Sequence, residues 1–374
     1  MIDAKEKTAL ATSVGADERQ SNSKNIISII PNNTEKGNLQ AVKTLENGGF
    51  KDLATKTLTE LYDTVYPQKK SIVDGLLYSG VYLFVGAPKV GKSFFMAQLG
   101  YHISSGIPLW GREVHQGSVL YLALEDDYSR LQHRLSTMFG TDGNDNFHLA
   151  TRAKTLETGL EVQLERFMEE HDDVKLIIID TLQKIRDVGG EKFSYANDYN
   201  IVARLKEFCD NHEMCMIVVH HTRKMESSDS FEMISGTNGL LGAADGAIVM
   251  HKDKRTENKA VLDMVGRDQQ DMRIHLEFDR QKFQWELTDM ETELWVDPPD
   301  PILDAIATVV TREVPIWQGT ATELLELLPE CELKPNMLTR KLNVNVGRLS
   351  EEYNIRYESS RSHDGRIIKL SYEK

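Results

Sequence analysis

The chain has 374 residues, 40% of them hydrophobic, and carries 58 acidic against 44 basic side chains for a formal net charge of −14. That length accommodates one large core with one or two smaller units, and the charge excludes a surface that coats nucleic acid indiscriminately. The apolar runs are strand-length and the first residues lack the apolar stretch of a signal peptide, so the expectation is a cytoplasmic protein with no membrane span. Three cysteines, Cys209, Cys215 and Cys331, form no C-x-x-C pair and read as reduced thiols without a chemical role.

Residues 1–50 are rich in Ser, Asn, Lys, Glu and Gly without sustained periodicity, which predicts a disordered arm; the apolar patch at 26–30 is its one exception. A short helix over about 58–66 leads into an alternation of strand-like and helical runs that continues to about residue 287. The first strand of that alternation, 81–85, is apolar and β-branched, and a helix from Phe94 to Ser105 follows it. Between them stand Gly86, Ala87, Pro88, Lys89, Val90, Gly91, Lys92 and Ser93, which fit the phosphate-binding pattern G-x-x-x-x-G-K-[ST]. Loop N–H groups and the positive end of the helix, from Phe94 on, then face the phosphates of a nucleoside triphosphate. In that arrangement Lys92 reaches the β- and γ-phosphates and Ser93 places its hydroxyl on Mg²⁺.

The next buried strand, 118–124, ends abruptly in Glu125, Asp126 and Asp127. Acidic residues at the carboxyl end of a parallel strand face the ligand crevice. Glu125 is the candidate base that polarises the attacking water, while Asp126 and Asp127 are placed to cap the helix predicted over 128–139. A third strand, 176–179, runs into Asp180 in the Walker B manner, a position from which the carboxylate holds Mg²⁺ through a water. A fourth, 215–219, ends in His220 and His221, and a polar group there can contact the γ-phosphate. Adjacent strand side chains point to opposite faces, so the two histidines do not read as a metal pair.

Taken in order, Asp74-Gly75-Leu76-Leu77, GAPKVGKS, SVLYLALED, LIIIDTLQKIRD, VVHHTRK, SGTNGLLGAADGAIV and VGRD resemble the RecA-like ATPases typified by the RepA replicative helicases of plasmids and mobile elements, over roughly residues 70–287. The resemblance implies an α/β fold: a RecA-like P-loop NTPase core over 51–296, mainly a parallel sheet with helices on both faces and an antiparallel extension. It also implies a homo-oligomer, a hexameric ring above all, that binds ATP and Mg²⁺ between subunits and acts on single-stranded DNA. Glu125 then matches the catalytic glutamate, Asp180 the Walker B acid, and His220 or His221 the sensor. Arg267 matches the arginine finger that reaches a neighbour's nucleotide, although Val265 stands where many such helicases carry a lysine. A finger also makes physical sense, because charge spread over phosphoryl oxygens is best met by a planar cation.

Nucleic acid contact is expected from basic loops facing the ring's channel: Lys184, Arg186 and Lys192 after the third strand, Arg223 and Lys224 after the fourth. Residues 297–301 (DPPDP) read as a linker, and 302–374 as a small α+β winged-helix domain. Its expected parts are a helix over 302–312, a second opened by the capping box Thr320-Ala321-Thr322-Glu323, a third from Pro335 to about Tyr353, and a hairpin around a wing at 359–365. Arg340, Lys341, Arg348 and Arg361 make that half basic, so duplex DNA or another replication protein is the expected partner. Two other classes compete with a DNA motor. One is an ATP-gated DNA-binding protein that does not translocate; the other is a nucleotide kinase, which would need an arginine-bearing lid that the sequence lacks.

Overall fold

The computed structural model describes residues 54–66, 68–186, 195–221, 238–254, 256–267, 269–292, 298–328, 333–362 and 365–373. The chain divides into units Met1–Thr57 and Leu58–Lys374. The arm, its patch at 26–30, and the candidate cations Lys192, Arg223 and Lys224 lie outside the described residues, as does the side chain of Arg361.

The second unit opens with α1 (Leu58–Tyr62) and a small hairpin, β1 (Ser71–Val73) and β2 (Leu77–Tyr78). The hairpin turns through Gly75, whose φ of 63° suits a residue without a Cβ. Then come β3 (Gly80–Gly86), α2 (Lys92–Ser105), β4 (Ser118–Ala123), α3 (Tyr128–Phe139), β5 (Phe147–Ala150) and α4 (Leu160–Glu170). The alternation continues through β6 (Val174–Asp180), α5 (Leu182–Ile185), α6 (Tyr195–His212), β7 (Cys215–His221), α7 (Asn238–Ala243) and β8 (Gly246–His251). Three antiparallel strands close the core: β9 (Lys259–Gly266), β10 (Met272–Asp279) and β11 (Gln284–Thr292).

These strands form one sheet in the order β11-β10-β9-β8-β3-β7-β6-β4-β5, parallel from β8 to β5 and antiparallel beyond β8. This is the mainly parallel α/β sheet with an antiparallel extension that the sequence led us to expect. Buried faces follow the period of two. Val81, Leu83 and Val85 join one apolar cluster with α4, α6 and α7, whereas Tyr82 and Phe84 join another with α2 and α3. Every residue of β3 is buried, which is why its sequence is a continuous apolar run rather than an alternating one. At ~1.5–3 kcal/mol per fully buried large apolar side chain, these two layers fix the sheet that positions the loops at its carboxyl end.

The C-terminal part has its own apolar cluster, including Leu303, Ile306, Leu338, Leu342, Leu349, Ile355, Ile368 and Leu370. It comprises α8 (Pro301–Val309), β12 (Ile316–Thr320), α9 (Ala321–Leu327), α10 (Pro335–Val344), α11 (Val346–Tyr353), β13 (Ile355–Ser362) and β14 (Gly365–Tyr372), with sheet order β12-β14-β13. The capping box is formed as expected: Thr320 caps α9 and Glu323 returns the bond. Two expectations need correction. The single helix from Pro335 to Tyr353 is two helices parted at Asn345 (φ −104°, ψ 23°), whose side chain donates to the Lys341 carbonyl and competes with helical continuation. The wing is tighter than expected, because β13 and β14 pair as far as Ser362 and Gly365; β12 was not anticipated and adds a third strand.

Candidate nucleotide-binding site

The loop at 86–93 follows the central strand and opens α2, as its pattern demands. Gly91 sits at φ 110° as the N-cap, and a Cβ there would come within 2.6 Å of the Trp285 ring. Ala87, Pro88 and Lys89 are exposed and Val90 is buried. The ring of Phe94 turns away into an aromatic group with Phe278 (5.3 Å) and Phe283 (5.6 Å), so only its backbone belongs to the helix start.

Lys92 is buried and donates to the carbonyls of Gly86 (2.7 Å) and Ala87 (2.9 Å). Burial lowers its pKa to about 8, partly offset by the charges of Asp180 and Glu125. It also lies 3.0 Å from His221 Nδ1. A protonated lysine can only donate, so Nδ1 accepts and the ring proton sits on Nε2, 3.5 Å from Glu125 Oε2. Glu125 Oε1 in turn receives the Thr181 hydroxyl at 3.3 Å. Ser93 Oγ and the Tyr121 hydroxyl both donate to Asp180 Oδ2, at 2.7 and 3.0 Å. Desolvation raises the Asp180 pKa against those two hydrogen bonds, and raises that of fully buried Tyr121 well above its usual value.

Strand parity explains why these groups meet. Ala123, Asp180 and Val219 are aligned across β4, β6 and β7, and His221 is level with Gly86. Tyr121, Ala123 and Glu125 share one parity, as do Ile178 with Asp180 and Val219 with His221, all on the face covered by α2. Because β7 lies between β3 and β6, His221 falls between Lys92 and the acids. The opposite parity carries His220 to the other face. There burial, with smaller contributions from Arg186, His221 and Lys92, lowers its pKa to about 4. Of the two histidines, only His221 joins the cluster. Both belong to β7, which runs two residues further than the sequence suggested.

The remaining candidates lie elsewhere. Asp127 caps α3 through the Arg130 N–H, and Asp126 pairs with Arg130 and Arg134. Lys184 is exposed on α5, but Arg186 is held by Asp198 at 2.6 Å. Arg340, Lys341 and Arg348 are engaged by Asp63, Asp300 and Glu352. Arg267 is exposed just beyond β9, at the amino edge of the parallel strands, where Gly266 pairs with Gly246 and Gly246 with Tyr82. That is the end of β3 opposite the loop, roughly 15 Å away at ~3.3 Å per strand residue, so Arg267 does not serve its own subunit's site. Reading the sequence missed Tyr121, Thr181 and Trp285. Trp285, on β11, donates from Nε1 to the Gly91 carbonyl at 3.2 Å and exchanges two main-chain bonds with Gln98 of α2.

Residues 50–227 match the family model of an AAA domain, AAA_25. The match spans a little under half of the chain and contains Lys92, Ser93, Glu125, Asp180 and His221; Arg267, Trp285 and the C-terminal cluster lie beyond it. No curated protein matches the chain. Among solved structures, the chain is similar to an ATPase domain solved on its own, with 12% identity, a TM-score of 0.48, and 56% of this chain and 85% of that one covered. It is also similar to a DnaB-like replicative helicase solved for its interactions with primase, with 12% identity, a TM-score of 0.47, and 56% and 58% covered. The chain therefore spans under two thirds of that helicase's length.

Proposed function

We propose that the chain hydrolyses ATP as a DNA-dependent motor, a ring-forming replicative helicase of the RepA type with a winged helix at its C-terminus. The observation that carries the reading is the linked set Lys92–His221–Glu125–Thr181 beside Ser93–Asp180–Tyr121. One cation, one neutral imidazole and two carboxylates converge at the mouth of a phosphate-binding loop. That is the composition needed to hold a triphosphate and move one proton from water.

The residues fit Mg²⁺. Ser93 Oγ and Asp180 are hard oxygen donors already 2.7 Å apart, so they would hold the ion, directly and through a water respectively. When bound, Mg²⁺ neutralises charge on the β- and γ-phosphate oxygens. Lys92, now satisfied by two loop carbonyls, would exchange them for phosphate oxygens. Glu125, exposed and oriented by Thr181, accepts the proton of the attacking water. His221 contacts both groups, so it registers loss of the γ-phosphate and passes the change to the segment following β7. Arg267 would complete the site of an adjacent subunit, and Lys184 would face DNA.

A second reading has one observation in its favour. Arg186, Arg340, Lys341 and Arg348 are all satisfied within the chain, which suits a protein that grips DNA only in one nucleotide state. ATP turnover with and without single-stranded DNA, on the wild type and on Lys92→Ala, Glu125→Gln and Arg267→Ala, tests the enzyme. We expect stimulation by DNA and a loss of at least about 10²-fold in each variant. Unwinding of a forked duplex then separates a motor from an ATP-gated clamp. Turnover indifferent to DNA and to Arg267, from a monomer, would sink both.

A further inference from the structure

Asp245 stands at the turn between α7 and β8 and is buried, yet its carboxylate meets two lysines from distant segments. Oδ1 accepts from Lys69 at 2.9 Å and from Lys206 of α6 at 2.6 Å, while Oδ2 accepts the Val81 N–H at 3.0 Å. The Asp245 N–H donates to the Val81 carbonyl at 2.8 Å, so side chain and backbone together bracket one residue of β3. Burial alone would push its pKa up, but the lysine and Val81 hydrogen bonds outweigh it and keep the carboxylate ionised. A Cβ on Gly80 would lie 2.7 Å from Oδ2, so the start of β3 is shaped to let this carboxylate approach.

The same turn carries Arg267. The Arg267 N–H donates to the Asp245 carbonyl at 2.9 Å, and its guanidinium donates to the Gly242 carbonyl at 2.7 Å. Where residues 242–245 go, Arg267 therefore follows. The neutralised carboxylate fixes that turn to β3, to α6 and to the segment ahead of β1. We propose that Asp245 is a positioning residue for Arg267: clamped by Lys69 and Lys206, it latches the turn that presents the guanidinium to a second copy of the chain. This rests on the reading of Arg267 as a finger acting in trans. A transition-state contact tolerates little misplacement, and an error of ~1 Å is enough to cost a large part of the rate.

The latch is tested with Asp245→Asn, which keeps the shape and an acceptor for Val81, and with the double variant Lys69→Met/Lys206→Met, which keeps the aliphatic stems and carries the test should Asp245→Asn fail to fold. Each is assayed alone and mixed in equal amounts with Lys92→Ala, whose finger is intact and whose phosphate loop is not. We expect kcat to fall about tenfold with nucleotide affinity changed by less than about twofold. Mixing should then restore roughly a quarter of wild-type turnover, the fraction of interfaces that join an intact loop to an intact finger in a randomly assembled ring. Damage confined to the subunit's own β3 would not be rescued in this way. The latch is overturned if Arg267→Ala loses turnover and is rescued by Lys92→Ala subunits while both latch variants keep full turnover, or lose it without rescue. If Arg267→Ala itself keeps full turnover, the finger reading fails and takes the latch with it.

Discussion

Lys92 is held in a buried position by two carbonyls and a neutral imidazole, none of which supplies negative charge as a triphosphate would. Its lowered pKa of about 8 has a direct consequence. Bound phosphates restore the charged form, so binding takes up a proton once the free lysine has begun to lose its own. Affinity should therefore fall about tenfold between about pH 7 and pH 9, a fluorescent nucleotide titration should show the fall, and Lys92→Arg should bind weakly but without that slope. His220 provides the opposite case. Its folded pKa of about 4 lies below the unfolded value, so between about pH 6.5 and 4 the unfolded chain holds more protons. Stability is complete above that window and is lost as the pH falls through it, by on the order of 2 kcal/mol once solvent screening at a half-buried ring is allowed for. Denaturant midpoints for His220→Gln should show a correspondingly shallower decline. Both residues were visible in the sequence as candidates, but the face on which each histidine lies was not, because neighbours on a strand point to opposite sides of the sheet.

At the scale of elements, the phosphate loop depends on a strand almost two hundred positions away. Trp285 of β11 is buried to 1% exposure, lies against Gly91, and is covered by Lys252 at 4.9 Å from its ring. Gly91 must therefore lack a side chain for two independent reasons, its φ of 110° and the indole beside it. Gly91→Ala should abolish nucleotide binding while the far-ultraviolet spectrum stays native. Trp285→Phe keeps most of the packing but loses the Nε1–H bond to the Gly91 carbonyl; it should cost about 1 kcal/mol in chemical denaturation and weaken nucleotide binding several-fold. The phosphate-loop pattern predicted that glycine was needed at position 91. It gave no sign of the tryptophan, because β11 reaches α2 only once the antiparallel extension has folded over it.

Across the whole molecule, α1 does more than lead into the core. Asp63, just after it, pairs with Arg340 of α10 at 2.8 Å, its carbonyl accepts from Arg366 at 3.0 Å, and the Tyr62 carbonyl accepts from Asn343 at 2.9 Å. With the Arg340–Asp63 pair about a third exposed, Asp63→Asn should cost under about 1 kcal/mol and leave the Tm within a few degrees in calorimetry. A larger loss would mean that the segment around α1 is integral to the C-terminal cluster. By itself the sequence determined what is local and periodic: the apolar strands and their order along the chain, the loop at 86–93, the acids that end β4 and β6, and the capping box of α9. Each of these is written in neighbouring residues, through side-chain alternation or a fixed spacing. Only the tertiary structure decided the rest: that β7 enters between β3 and β6, that His221 rather than His220 meets Lys92 and Glu125, that Arg267 lies at the far edge of the sheet, and that the basic residues of α10 and α11 are already paired. Those outcomes depend on strand order, register and contacts between segments far apart in the chain, and a one-residue change of register exchanges the two faces of a strand.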